Sequence, residues 1–328
     1  MHWLPTLRRL AVTAAVLLVP TGAGAAVATD HDSVPKDRDR SYVIEGEQVF
    51  PEGITTDRRY VYATSKADGT VYRGRLGSES LQPFLPAGQD GLTTATGIKS
   101  TGRHLLVAGA ETGRFFVYGA RDGQLVARYV VPNPGEPTFL NDVVVTRGGD
   151  VYITDSLRPA IYRIPAEEFD TASSADGAER TLQTGATLPA DSYTQGFNAN
   201  GIVATPDGRA LLVVYTNSGA LYRVDLRTGT TAVVQLDRPL LNGDGLELRG
   251  HTLYVARNVD NLITTVRLSG DYTAGATIAE RSYPGADVPT TLALSRGRLL
   301  VVNSQFDTLF FGAPQTSETF TISSIPLR

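Results

Sequence analysis

The sequence predicts an all-β protein, a six-bladed β-propeller with four strands in each blade, from three observations. A short strand, a turn and a second short strand recur in six copies, which start at residues 52, 96, 141, 200, 244 and 290. A third apolar segment follows in every copy. Beyond residue 40, no segment has the apolar spacing of a helix. Short strands that repeat about every 40–50 residues are typical of a propeller.

The clearest copy spans residues 198–216. Asn200 and Gly201 open a short apolar strand, a Pro-Asp-Gly turn follows at residues 206–208, and a second apolar strand covers residues 210–215. Pro fixes φ and Gly supplies a positive φ, so this tripeptide between two strands predicts a hairpin. The residues equivalent to Asn200 in the other copies are Glu52, Thr96, Asn141, Asp244 and Thr290.

The third segments complete the pattern, and they lie at residues 70–73, 115–118, 160–163, 220–223, 262–268 and 319–325. The longest step between copies contains residues 167–190, which are rich in Ala, Ser, Thr, Gly and Asp and predict an inserted surface loop. Residues 41–50 are predicted to form an N-terminal strand that completes the last blade beside the C-terminal strand, because closure hides the edges of an open sheet. Residues 41–328 are therefore predicted to form one domain.

The first 28 residues predict a cleaved secretory signal peptide. Arg8 and Arg9 precede an apolar segment at residues 10–19 that is too short to span a bilayer, and residues 26–28 form a small-residue cleavage site. The arginine pair fits either an ordinary or a twin-arginine signal. Residues 29–40 are charged and aperiodic, and they predict a flexible leader. We therefore expect a secreted mature protein without a membrane span.

Composition disfavours several classes of partner. The 328 residues carry a formal net charge of −4, and removal of residues 1–28, which hold two arginines and no acid, leaves about −6. Such a mildly acidic protein is a poor partner for nucleic acid or an anionic membrane. The absence of cysteine excludes disulfides and thiolate metal ligands. We expect a monomer that acts on a small-molecule substrate.

The first strand of each blade lines the axis of a propeller, so the six equivalent residues are predicted to form a ring. All six carry side-chain oxygen, and four carry carboxylate or amide oxygen. Two carboxylates about 5 Å apart repel by roughly 3 kcal/mol at an effective dielectric near 20, and a cation reverses that sign. Oxygen ligands suit Ca²⁺, and less readily Mg²⁺, Mn²⁺ or Zn²⁺. We therefore predict a Ca²⁺ site whose ligands are Glu52, Asn141, Asn200 and Asp244.

Several residues outside the ring are also candidates for the site. Asp142 is either an outer support of the metal site or a strand-start residue, and Asp155 is expected to end a strand and tie a turn. His104 and His251 fall at hairpin turns away from the ring, and His31 lies in the leader, which disfavours histidine catalysis. Apolar residues of the ring-side loops either wall a pocket or pack within their loops; they are Phe50, Pro137, Phe139, Tyr193, Phe197 and Phe306.

Four motifs resemble those of the senescence-marker-protein/gluconolactonase/luciferin-regenerating-enzyme family; they are Pro51-Glu52-Gly53, Leu140-Asn141-Asp142-Val143, Asn200-Gly201-Ile202 and Asp244-Gly245-Leu246. The resemblance covers residues 50–303 and implies a six-bladed propeller that holds a divalent metal, usually Ca²⁺, on Glu, Asn and Asp at the four predicted positions. It also implies hydrolysis of lactones or organophosphate esters, with Asp244 as base or nucleophile. The chain departs from the family in having Ile54 where Pro is frequent, and in lacking a counterpart of the sugar-binding arginine and histidine.

Three functions remain open on the sequence. The first is a secreted, Ca²⁺-dependent hydrolase of a lactone or related ester, in which Asp244 activates water or attacks directly. The second is a non-catalytic propeller in which the ion holds the blades together and the ring face binds a ligand or partner. The third is a metal-free condensing enzyme similar to strictosidine synthase, whose propeller shares part of the pattern. Metal content and lactone hydrolysis separate the three.

Overall fold

The computed structural model describes residues 41–171 and 178–327. The predicted signal peptide at residues 1–28 and the predicted leader at residues 29–40 lie outside this part of the chain. Within it, strands dominate and only short helices occur, so the prediction of an all-β protein is confirmed. Across the two described ranges, no helix has the length and apolar character needed to cross a membrane.

The predicted first, second and third strands of all six copies are present. The strands are β1 Ser41–Glu45, β2 Pro51–Thr56, β3 Tyr60–Ser65, β4 Val71–Arg75, β5 Ser80–Leu85, β6 Ile98–Ser100, β7 His104–Ala108, β8 Arg114–Gly119, β9 Leu125–Val130, β10 Leu140–Val145, β11 Val151–Asp155, β12 Ala160–Ile164, β13 Glu179–Thr181, β14 Gln183–Thr187, β15 Ala199–Ala204, β16 Ala210–Tyr215, β17 Leu221–Asp225, β18 Thr231–Val233, β19 Gln235–Leu236, β20 Gly243–Arg249, β21 Thr252–Arg257, β22 Leu262–Leu268, β23 Ala274–Arg281, β24 Pro289–Ser295, β25 Arg298–Asn303 and β26 Thr319–Pro326.

Within the described ranges, hydrogen bonding joins these strands into five sheets, which are antiparallel except where β1 pairs with β5, β13 with β9 and β19 with β23. The strand orders are β2-β3-β4-β5-β1-β26-β25-β24, β6-β7-β8-β9-β13, β10-β11-β12-β14, β15-β16-β17-β18 and β20-β21-β22-β23-β19. The first strands contact one another in a closed cycle that runs β2, β6, β10, β15, β20, β24 and back to β2. The six first strands therefore surround a common centre.

The core lies between neighbouring sheets. On β11, Val151 and Ile153 belong to the same buried cluster as Phe115 of the preceding sheet. The intervening residue, Tyr152, belongs to a second cluster with Val213 of the following sheet. Side chains alternate between the two faces of a strand, so a strand covered on both faces must be apolar throughout. This arrangement explains the unbroken apolar segment of β16, in which all six residues are buried.

The predicted partnership between the two ends of the chain is present. Strand β1 pairs antiparallel with β26, in a register that places Val43 opposite Thr321. The opposite edge of β1 also pairs in parallel with β5, through Val43 with Ser80 and Ile44 with Leu81. This second pairing is not predicted by the sequence, and it joins two neighbouring sheets into one of eight strands.

Two parts of the prediction are wrong. Residues 167–190 are not simply a surface loop, because the segment contains β13, which pairs in parallel with β9, and β14, which pairs with β12. The expectation of no helix fails at α1 (Ala166–Thr171) and α2 (Phe306–Phe311). Each helix has six residues, which is too short to display a helical period in the sequence.

Candidate functional site

The four predicted ligands lie together at one cavity of about 480 Å³. Each belongs to a different first strand: Glu52 to β2, Asn141 to β10, Asn200 to β15 and Asp244 to β20. All four residues are buried, with 4–5% of their surface exposed. The repeat therefore brings together residues that are far apart in sequence, as predicted.

A β-bulge positions each of these residues. The register between first and second strands shifts around every ring residue except Thr96, and the shifts lie between Pro51 and Ile54, Leu140 and Val143, Ala199 and Ile202, Gly243 and Leu246, and Pro289 and Leu292. A bulge re-aims a side chain relative to the regular pleat. The bulges therefore turn the ring side chains out of the strand alternation.

The glycines that follow the ring residues permit close approach of neighbouring first strands. A Cβ on Gly53 would lie 2.4 Å from the Thr96 carbonyl oxygen, and one on Gly201 would lie 2.2 Å from the Asp244 carbonyl oxygen. Neither glycine has a positive φ. The Asn-Gly and Asp-Gly pairs are thus not turn dipeptides here, and glycine is required because backbone occupies the space of a side chain.

One oxygen of each predicted ligand has no hydrogen-bond partner. These atoms are Glu52 Oε2, Asn141 Oδ1, Asn200 Oδ1 and Asp244 Oδ1. Buried polar atoms are nearly always satisfied, and an orphaned one costs about 1–3 kcal/mol. Four orphaned oxygens at equivalent positions around one cavity are the signature of a site built for an electropositive ligand.

Hydroxyl groups that directly follow the second strands β11 and β16 fix the orientation of the two amides. Asn141 Nδ2 donates to Ser156 Oγ at 2.9 Å, and the Ser156 hydroxyl itself donates to the Ala199 carbonyl at 2.6 Å. Asn200 Nδ2 donates to Thr216 Oγ1 at 3.0 Å, and Thr216 donates to the Gly243 carbonyl at 2.8 Å. Because each hydroxyl proton is already used, the hydroxyl oxygen must accept from the amide nitrogen. The amide oxygens therefore face the cavity.

The two threonines of the ring behave differently. Thr96 Oγ1 donates to the Leu140 carbonyl at 2.7 Å. Thr290 Oγ1 donates to the Glu52 carbonyl at 2.7 Å and contacts Ser304 Oγ at 2.8 Å. Both hydroxyls thus tie first strands to their neighbours, and only the four carboxylate and amide residues present free oxygen.

Burial raises the pKa of both ring carboxyls. The pKa of Glu52 lies well above its ordinary value, because burial disfavours the anion and the charges of Asp244 and Asp142 add to that effect; Lys66 opposes it. Burial likewise raises the pKa of Asp244 to about 7, and the hydrogen bond from the Asn258 amide opposes this rise. Both carboxyls are therefore held toward the protonated form until a cation compensates their charge.

The donor set fits a hard divalent cation. Two carboxylates and two amide oxygens match the oxygen ligands of Ca²⁺, and leave coordination positions for water or substrate. In the described residues, no group of three or more His, Cys, Asp or Glu side chains is placed to hold a metal ion. The ring supplies only two residues of those types, which disfavours zinc, haem iron or a redox copper centre at this position.

Phenylalanine side chains wall the cavity above the ring. The predicted Phe139, Phe197 and Phe306 line it, and so do Phe310 and Phe311 of α2. Phe50, Pro137 and Tyr193 do not line it. Phe50 is buried against Phe320 with ring centroids 5.3 Å apart, the Pro137 carbonyl accepts from Arg158 Nε, and Tyr193 packs on Tyr215. These three residues therefore pack within the protein and do not wall the pocket.

Lys66 lines the cavity, although it is not among the site residues predicted from the sequence. Its Nζ donates to Thr94 Oγ1 at 3.0 Å and to the Glu111 carboxylate at 3.0 Å, and it lies 5.6 Å from the centre of the Phe139 ring. A usable signal exists, because Lys66 follows Glu52 by the same spacing that separates Asn258 from Asp244. Both residues begin the loop after a second strand, where the chain turns over the cavity.

The remaining candidates are structural or distant. Asp142 accepts from the Val143 and Ile202 backbone N–H groups at 2.8 and 3.2 Å, so it connects two first strands. Asp155 ties the turn after β11, as expected. His104 and His251 do not line the cavity, and His251 stacks on Tyr272. His31 lies outside the described residues.

A larger groove of about 850 Å³ lies at the hairpin-turn ends of the strands. Its lining includes Arg58, Arg59, Arg73 and Arg121, and one carboxylate, Asp57. That carboxylate is fully engaged by backbone N–H groups and the Tyr62 hydroxyl. Among the described residues that line this groove, none has an orphaned buried side-chain oxygen, so the ring cavity is the better candidate site.

No protein-family model and no curated protein matches the chain by sequence. Solved structures match it by shape. The major allergen Mala s 1 of Malassezia sympodialis has a TM-score of 0.64 at 15% identity, over 87% of this chain and 95% of that one. A gluconolactonase from Xanthomonas campestris has a TM-score of 0.58 at 17% identity, over 88% and 90%. The β-propeller domain of Cps50 from Myceliophteria thermophila has a TM-score of 0.57 at 13% identity, over 86% and 98%. At these identities the likeness concerns the fold alone, and that fold is a β-propeller.

Proposed function

We propose that the chain is a six-bladed β-propeller whose ring binds a divalent cation, Ca²⁺ first, and that it hydrolyses a lactone or related ester. The single observation that carries the proposal is the set of four orphaned oxygens of Glu52, Asn141, Asn200 and Asp244. The closed cycle of six first strands supports the blade number. The gluconolactonase among the structures of the same fold supports the reaction class.

Each ring residue has a separate role in this proposal. When bound, the cation would polarise the ester carbonyl and stabilise negative charge on its oxygen. Asn141 and Asn200 direct their amide oxygens inward, because Ser156 and Thr216 hold the amide nitrogens. Glu52, on the first strand of the first copy, supplies the negative charge of its carboxylate to the cation. Its buried position keeps bulk water from screening that charge.

Asp244 is the proposed catalytic residue. Asn258 Nδ2 donates to Asp244 Oδ2 at 3.2 Å, which fixes the carboxyl and leaves Oδ1 facing the cavity. From there Oδ1 either accepts the proton of an attacking water or attacks the carbonyl carbon itself. In both routes one water is consumed, the ring ester bond breaks, and the product is a hydroxy acid.

Hydrolysis of a lactone panel by chelated and calcium-reconstituted protein tests the proposal. The expected result is turnover that chelation abolishes and added calcium restores. Bound calcium without any hydrolysis would indicate a non-catalytic ion-stapled propeller, and a protein that binds no ion would overturn the metal ring. A single turnover in ¹⁸O-labelled water identifies direct attack when the label enters the Asp244 carboxylate, because water that opens the mixed anhydride at the aspartyl carbon leaves its oxygen there, whereas the base route places the label in the product.

A further inference from the structure

The aromatic residues above the ring form one continuous surface. Phe139 and Phe197 meet edge to face with centroids 4.8 Å apart, Phe197 lies 6.3 Å from Phe310, and Phe310 lies 5.1 Å from Phe306. The rings come from three separate segments, namely the residues before β10, the residues before β15, and α2. Such edge-to-face contacts fix ring positions as well as burying apolar area. The surface is therefore a preformed wall and not a set of isolated loop residues.

Every side-chain nitrogen that lines the cavity already donates at least one hydrogen bond within the protein. Lys66 Nζ donates to Thr94 and Glu111, and Asn217 Nδ2 donates to Thr194 Oγ1 and the Gln195 carbonyl. Asn242 Nδ2 donates to Asp260, and Asn258 Nδ2 donates to Asp244. The lining contains neither arginine nor histidine. A ligand rich in hydroxyl groups would consequently compete with these internal bonds for the donors, and each of its hydroxyl groups that is buried without a partner is costly.

Part of the wall is exposed where a ligand would cover it. Phe310 is 44% exposed, Phe311 75% and Val259 47%, and all three line the cavity. Apolar side chains that remain accessible around a polar floor are typical of a ligand site whose occupant brings its own apolar surface. The volume of about 480 Å³ falls in the range of cavities that hold small molecules.

We infer that the substrate carries an apolar alkyl or aryl substituent beside its ester group, and that polyhydroxylated sugar lactones are disfavoured. This inference rests on the proposed lactone chemistry. The ring binds the ester end of the substrate, and the wall of Phe139, Phe197, Phe306 and Phe310 covers the apolar end. Selectivity thus comes mainly from buried apolar area, and from side-chain donors that are already engaged within the protein.

Binding of non-hydrolysable lactams tests this inference independently of turnover. Alkyl γ-lactams of increasing tail length and a polyhydroxylated lactam would be titrated calorimetrically into the calcium-loaded protein. Affinity is expected to rise with tail length, by about fourfold at most for each buried methylene. Phe310→Ala is expected to flatten this rise and Phe310→Leu to keep most of it. Phe84→Ala removes a phenylalanine outside the cavity and serves as the matched control.

The outcomes are distinct. A flat response to tail length, or tighter binding of the polyhydroxylated lactam, overturns the inference. Tail-dependent lactam binding in a protein that hydrolyses no lactone upholds the apolar selectivity and overturns the proposed reaction. Hydrolysis that favours sugar lactones upholds the reaction and overturns the selectivity.

Discussion

Two buried aspartates of this protein, Asp155 and Asp244, stand in opposite situations. Asp155 Oδ1 accepts from the backbone N–H groups of Phe139, Leu157 and Arg158 at 2.9–3.0 Å, and Oδ2 accepts from the hydroxyls of Thr138 and Tyr162. Asp244 accepts one hydrogen bond, and its Oδ1 has no partner. Burial alone therefore does not mark a functional carboxyl. The mark is an oxygen that the protein holds in place and leaves unsatisfied.

The largest expected effect is on turnover at Asp244. Asp244→Asn is expected to lower kcat by about a thousandfold, because an amide neither takes the proton nor carries the ligand charge. Far-ultraviolet circular dichroism, and the melting temperature of the chelated protein, should stay close to the wild-type values. Asp271→Asn, which changes an exposed turn aspartate, is the control. Near-normal activity of Asp244→Asn would remove the residue from the mechanism.

At Asp155 the expected effect is on stability. Asp155→Ala leaves three partly buried backbone N–H groups and the hydroxyls of Thr138 and Tyr162 without their acceptor, and should lower the free energy of unfolding by roughly 3–6 kcal/mol. Asp155→Asn keeps one acceptor oxygen and should lose less. Urea denaturation measures both values. An Asp155 variant that keeps its stability but no longer binds calcium would show that the turn after β11 belongs to the site.

A pH dependence follows from the raised pKa values of the ring carboxyls. With a pKa of about 7 in the folded, metal-free protein and an ordinary value near 3.8, Asp244 retains a proton that the unfolded chain has released. The retained proton stabilises the folded, metal-free protein at low pH. The free energy of unfolding should therefore fall as pH rises from about 4 to about 7, the range between the unfolded and folded pKa values of Asp244. Glu52 contributes in the same direction.

Calcium should reverse this loss. Above pH 7, an ion at a hundredfold excess over its dissociation constant adds about 2.7 kcal/mol of stability. Thermal melts of chelated and calcium-loaded protein between pH 4 and pH 8 measure the effect, and Asp244→Asn should weaken it. Identical pH profiles with and without calcium would contradict the assignment of the ring.

The smallest effect is expected at a ring threonine. Thr96→Val deletes the hydrogen bond from Oγ1 to the Leu140 carbonyl and should cost about 1 kcal/mol of stability, without changing calcium affinity. Asn200→Ala, at the equivalent place in another copy, should weaken calcium binding at least tenfold, as expected when a coordinating oxygen is lost. Calorimetric titration of both variants makes the comparison. Equal losses of affinity would mean that the threonines are also ligands.

The repeat made the hairpins and the ring predictable from the sequence. Equivalent spacing identifies Asn200 and Asp244 as neighbours, because a closed cycle of strands converts sequence period into proximity. The need for glycine at position 201 was not predictable in the same way. A side chain there would collide with the backbone at Asp244, and this contact joins two different copies of the repeat. The two amide orientations likewise depend on Ser156 and Thr216, which directly follow the ends of β11 and β16.

The walls of the cavity were harder to predict than its floor. Phe310 belongs to a six-residue helix, which is too short to display a period. Phe50 has the composition of a wall residue, yet its backbone lies at φ 43° and its ring turns into the core against Phe320. Loop conformation decides which aromatic residue faces the cavity, and loop conformation is set by tertiary contacts that sequence spacing does not encode.

The pairing of β1 with β26 also has a consequence for the order of folding. Val43 and Thr321 are opposite each other, although nearly the whole described chain separates them. Closing so long a loop adds little to its thermodynamic cost, which grows only logarithmically with length, but contacts of such separation form late. The cycle of first strands is thus expected to close only after the last strand is available. Ion binding at the ring would then report the completion of folding, since Glu52 and Asp244 meet only in the closed molecule.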